Sequence, residues 1–163
     1  MFDRIENLET KLLCGLSLKM SFANNRTYEL WSSFMPLRKK ITNTVSTNLY
    51  SMQLYGEVLD YNKFDPESTF TKWAAVEIKD NSKTPEGLFP YVLNKGLYAV
   101  FIHKGTPQDF PKTFSYIFEK WLPGSKYEVD LREHFELIPE TYRPDDPNAV
   151  EEVWIPVKKK NSI

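Results

Sequence analysis

Apolar and polar residues alternate in short blocks along this chain, and in two stretches the apolar period lengthens to helical spacing. Over residues 11–20, Leu12, Cys14, Leu16 and Leu18 fall on one side and Leu13 on the other, the two-residue period of a strand. Asn24 and Asn25 then offer capping side chains ahead of a helical pattern that starts near Thr27. Leu30, Trp31, Phe34, Leu37 and Ile41 share one face of that helix, and Pro36 within it predicts a kink or an early end. Strands are expected over residues 50–59 and 70–78, joined by a polar turn around residues 62–66.

Residues 80–96 carry Pro85, Gly87, Pro90 and Gly96 and read as a loop. The same order of elements then recurs. Residues 98–103 read as a strand, and Phe110, Phe114, Ile117 and Trp121 stripe a second helix bounded by Thr106-Pro107 and Pro123-Gly124. Two more strands are expected at 134–138 and 153–157, with Pro156 near a strand end or an edge. The pattern is that of two β-α-β-β units in tandem, over about 10–80 and 96–158, forming one domain across residues 1–163. The expected fold class is α+β, an antiparallel sheet with both helices on one face.

Alternation also sorts the polar residues. If Val153, Ile155 and Val157 lie beneath the helices, Glu152 and Trp154 point the other way. Matching Phe135 and Leu137 to that apolar set sends His134, Glu136 and Ile138 to the opposite side. Trp73 and Tyr55 alternate against their apolar neighbours in the first half. One face is therefore expected to collect Glu136, Glu152, Trp154, Trp73 and Tyr55. A carboxylate ringed by aromatic side chains favours a cationic, apolar guest, each cation–π contact contributing ~0.5–2 kcal/mol.

Composition narrows the function. An aromatic share of 15% supplies flat surface for an organic ligand, while a net charge of -1 gives no pull toward nucleic acid or an anionic membrane. Lys158-Lys159-Lys160 reads as a solubilising tail. Cys14 stands alone, which excludes an internal disulfide and a Cys-based zinc site, and it reads as a small core hydrophobe. His103 and His134 fall in no catalytic or metal-binding pattern, so neither a metal nor a cofactor is expected. Acidic residues occupy the N-terminal stretch where a signal peptide would be apolar, and no apolar run is long enough for a membrane span. A cytoplasmic location is expected.

Four stretches, in order, carry a family resemblance: Leu97 through Gly105 (Leu-Tyr-Ala-Val-Phe-Ile-His-Lys-Gly), Trp121-Leu122-Pro123-Gly124-Ser125, His134-Phe135-Glu136, and Val153-Trp154-Ile155-Pro156-Val157. This set resembles the GyrI-like, or AraC-type, effector-binding domain, a duplication of the SHS2 unit. The resemblance implies one sheet with a ligand groove between its halves, binding hydrophobic and often cationic small molecules as the sensor part of transcriptional regulators. It makes Glu136 the central acid, places Trp154 at a usually aromatic position, and leaves Glu152 as a second acidic contact.

The chain departs from the regulators in lacking a preceding helix-turn-helix segment, so a stand-alone sensor or sequestering domain without direct nucleic-acid contact is expected. Two alternatives come with the family. Some stand-alone members hydrolyse reactive cyclopropane-containing compounds, for which Glu136 would be the catalytic residue that positions water. Others act on DNA gyrase, and here Asp145-Asp146 and Glu151-Glu152 could face such a protein partner.

Overall fold

The computed structural model describes residues 1–161. The alternation of the first block becomes strand β2 (Lys11–Met20), followed by helix α1 (Thr27–Arg38), β3 (Leu49–Leu54) and β4 (Phe70–Glu77). The second block becomes β6 (Gly96–Lys104), a helical segment, β8 (His134–Ile138) and β9 (Val150–Lys159). That second helix, α2, consists of an α-helical part (Phe110–Ser115), a π-helical stretch (Tyr116–Trp121) and a last turn (Leu122–Gly124). Helix α1 ends two residues past Pro36, as a proline in the last turn allows, and the side chain of Asn25 accepts the Thr27 N–H at 3.0 Å. Thr106 and Asp109 close a reciprocal capping box ahead of α2.

Three strands escape the pattern reading. β1 (Phe2–Leu8), β5 (Phe89–Leu93) and the short β7 (Tyr127–Val129) complete a nine-stranded sheet. Residues 80–96 are thus not loop throughout. β5 is an end strand with one partner, which lets it hold Pro90 and leave Phe89 and Val92 exposed. β3 also stops earlier than expected, and residues 55–69 form a long connection with a 3-10 turn at Tyr61–Lys63 rather than a tight polar turn.

The sheet runs β1-β6-β9-β8-β3-β4-β2-β5, with β7 beside β9, and every pairing is antiparallel. The two units meet at the β3–β8 pair in the middle. The outer strands are exchanged. β1 precedes the first unit in sequence but pairs with β6 of the second, and β5 precedes the second unit but pairs with β2 of the first. Pro156 lies inside β9 rather than at its end. Its carbonyl accepts from Asp130 N at 2.9 Å, so its nitrogen faces the break between β8 and β7, where no ladder bond is lost.

Both faces of the sheet are buried. On one face α1 packs Leu30 and Phe34 over Cys14, Ala74 and Val76, and α2 packs Ile117, Phe118 and Leu122 over Phe101, Val153 and Ile155. On the other face, with no helix, Tyr50, Met52, Tyr98, Phe135 and Trp154 form a third core that reaches Leu8 of β1 and Leu93 of β5, at opposite ends of the sheet. The sheet must curl strongly to bring those ends together. Gly15 serves that packing, because a Cβ there would collide with the Ala74 carbonyl of the adjacent strand.

Candidate acidic groove between the helices

Each helix covers the outer strands of its own unit, so the central pair β3–β8 lies between them. Toward the helix side these strands present four polar residues, with the apolar Leu49–Ile138 pair at one end. Ser51 pairs with Glu136, and Gln53 pairs with His134. Glu136 also pairs with Val153 of β9, which places its carboxylate on the same face as the apolar residues under α2.

That register corrects the single face expected from alternation. Glu136 and Tyr55 lie on the helix side, whereas Trp154, Trp73 and Glu152 lie behind the sheet. The reason is physical. Phe135 and Leu137 are apolar because they fill the third core, not because they face the helices. With both faces buried, matching apolar sets between strands no longer identifies a common side. Behind the sheet, Trp154 stacks on Phe135 at 5.0 Å and donates its indole N–H to Glu152 at 3.0 Å, and Arg4 pairs with Glu152 at 3.2 Å. Trp73 contacts Tyr91 there.

This polar strip between the helices contains two acids. Glu136 is half-buried and Glu151 is 3% exposed. Burial pushes the Glu136 carboxyl up to about 7, against the opposing pull of Lys72 and a hydrogen bond from Gln53. Burial, reinforced by repulsion from Glu136, pushes Glu151 to about 8, against Lys72 and a hydrogen bond donated by the Tyr142 hydroxyl. Lys72 of β4 pairs with Gln53 of β3 and donates to Thr27 Oγ1 at 3.2 Å, where α1 begins. Burial lowers its pKa while both acids raise it. Among the described residues, no ion pair holds either carboxylate directly.

Aromatic rings wall this strip. The Tyr55 ring meets His134 edge-on at 4.9 Å and Phe70 at 5.3 Å. Burial holds His134 down to about 3, so it is neutral at physiological pH. On the other side Phe110, Phe114 and Phe118 run along α2, and Tyr61 from the long connection stacks on Phe118 at 5.3 Å. His103 is buried beneath this row, stacked on Phe110 at 4.0 Å and hydrogen-bonded to Thr113 and Thr106.

Sequence reasoning missed Glu151, Lys72, Gln53 and Tyr142. Glu151 shares the parity of Val153 and Ile155, which was the available signal, but its charge suggested an exposed protein-facing segment together with Glu152. Its burial removes it from any such surface.

Taken together, these features define an α+β domain of two pseudo-equivalent halves with buried acids along their seam. The chain belongs to the GyrI-like small-molecule-binding domain family, whose model matches residues 1–158. It is 25% identical over 166 residues to the transcriptional regulator BrlR of Pseudomonas aeruginosa, covering 94% of this chain and 57% of BrlR. The chain thus spans little more than half of that relative. Its fold matches the EcmrR C-terminal domain at a TM-score of 0.70 and 14% identity, covering 98% of this chain and 99% of that one. It also matches SAV2435 bound to tetraphenylphosphonium, at a TM-score of 0.68 and 14% identity over 97% of this chain and 94% of the other. No helix among the described residues is long and apolar enough to cross a membrane.

Proposed function

We propose that this protein is a receptor for lipophilic organic cations, which lie in the groove with their positive charge against Glu136 and their rings against Tyr55 and the aromatic row of α2. The observation that carries this reading is the position of Glu136. Its carboxylate is part-desolvated, directly paired with no base among the described residues, and bordered by flat apolar surface. Such an acid gains more from a bound cation than an exposed one, because the attraction acts where water screens it less. SAV2435, of the same fold, is bound to a cation of this class. The effector domains of regulators in the family suggest that the occupied groove serves as a signal.

Titration with tetraphenylphosphonium tests the reading. Saturable binding is expected, weakened about tenfold or more by Glu136→Gln, since a charged contact of ~1.5–3 kcal/mol is lost. Equal affinity in both proteins would overturn it.

One observation favours a second reading. Glu136 and Glu151 both sit near neutrality on one floor, an arrangement that suits a base and an acid in hydrolysis. Product formation from a cyclopropane-containing electrophile, lost in Glu136→Gln, would establish it. A stoichiometric complex without product would dismiss it.

A further inference from the structure

The aromatic wall does not stop at Tyr55. Under the connection between β3 and β4 lies a cavity of about 280 Å³, with Tyr55 and Phe70 on its inner side and Phe22 and Phe64 on its outer side. These rings touch in sequence: Phe64 to Phe22 at 4.9 Å, Phe22 to Phe70 at 5.0 Å, Phe70 to Tyr55 at 5.3 Å, and Tyr55 to His134 at 4.9 Å. His134 is two residues from Glu136 on the same strand face, so a continuous run of rings leads from the surface to the acidic floor.

The outer end is unusual for a loop. Phe22 and Phe64 remain 46% and 40% exposed although they lie beside each other. Glu57, Asp60 and Asp65 line the same cavity, with Lys63 the one basic residue among its lining. Asp60 and Asp65 each use Oδ1 to accept the backbone N–H two residues ahead, at 3.0 and 2.9 Å, which fixes both carboxylates in place. The connection is also tied down, by Tyr61 on Phe118 and by the Ala23 N–H bonding the Pro66 carbonyl at 2.9 Å.

We propose that this cavity is an outer subsite for a second cationic head, so that the groove selects elongated ligands charged at both ends. One head lies at Glu136 and the other against Phe22 and Phe64; for its inner end alone the proposal rests on the reading of the groove given above. Ring faces carry the negative part of the aromatic quadrupole and attract a cation without needing a hydrogen bond. The acids at the rim add a field of the same sign. Between the two ends, Phe70 and Tyr55 offer apolar surface suited to a hydrocarbon spacer. A quaternary ammonium, with no proton to donate, matches a site made of rings and already-bonded carboxylates.

Decamethonium and decyltrimethylammonium provide a matched pair of probes, with the same hydrocarbon chain and two heads or one. In calorimetric titration decamethonium should bind about tenfold more tightly, the expected return of one or two cation–π contacts plus the rim field. The double variant Asp60→Asn/Asp65→Asn keeps both Oδ1 acceptors but removes the rim field, and should lower the ratio about threefold, leaving decyltrimethylammonium unchanged. Phe64→Leu, which keeps the site apolar, should lower the ratio in the same way, with thermal melting as the control for folding. Equal binding of the two probes by the native protein, or a ratio that survives both variants, overturns the subsite. Failure of the inner reading shows separately, as decyltrimethylammonium binding that ignores Glu136→Gln. Binding of neither probe overturns both.

Discussion

Because the Glu136 carboxyl titrates at about 7 in the free protein, capture of a cation should release a proton. A bound positive charge returns the acid toward its ordinary value of 4.5, so only the ionised form binds well. At pH 5 roughly one molecule in a hundred has that form, at pH 7 about half, and at pH 8 nearly all. Affinity for a permanent cation should therefore rise about a hundredfold from pH 5 to pH 8, equivalent to ~2.7 kcal/mol. Glu151, at about 8, acts in the same direction at the upper end. His134, at about 3, stays neutral across the window, and Tyr55 and Tyr142 are raised well above it. Tetraphenylphosphonium has no titratable group, so the whole pH response belongs to the protein. Calorimetry at pH 7 in buffers of different ionisation heat should detect about half a proton released per ligand from this group. A dissociation constant that stays within about twofold between pH 5 and pH 8 would refute the reasoning.

Other consequences are as concrete. A raised acid stabilises the fold below its unfolded pKa and loses that contribution as pH rises through the folded value, here between 4.5 and about 7. Glu136→Gln should therefore stabilise the free protein at pH 8 by about 1–2 kcal/mol, discounted for partial solvent access, and leave it little changed at pH 4.5; thermal melting at both pH values checks this. Trp154→Ala removes an indole from the core behind the sheet and should cost about 3–5 kcal/mol in chemical denaturation, while the folded fraction keeps its affinity for tetraphenylphosphonium. Gly15→Ala drives a methyl into the Ala74 carbonyl and should destabilise by about 3 kcal/mol, with a lowered melting temperature and no specific effect on ligand.

The helices and the first and last strands of each unit were legible because their signals are local. The Leu30–Phe34 and Phe110–Ile117 stripes follow directly from helical spacing, and the 134–138 strand appeared with its final bounds. β1 was not legible. Its inward residues, Ile5 and Leu8, serve different cores, and the other positions between Phe2 and Leu8 are polar, so no one-sided pattern forms. β5 hid behind Pro90, which an end strand tolerates. The site itself was half legible. Glu136 and Tyr55 were both selected, but the side they share was not, since alternation fixes parity within a strand and only pairing fixes it between strands. Lys72 and Glu151 needed that same long-range register.

The exchange of β1 and β5 has a thermodynamic consequence. Neither repeat possesses its own boundary strand, so severing the chain near Asn81, between β4 and β5, would give two fragments that each lack a wall and expose a raw hydrogen-bonding rim. The halves must melt as one cooperative unit, and a guest seated anywhere along their seam stiffens the whole molecule rather than one lobe.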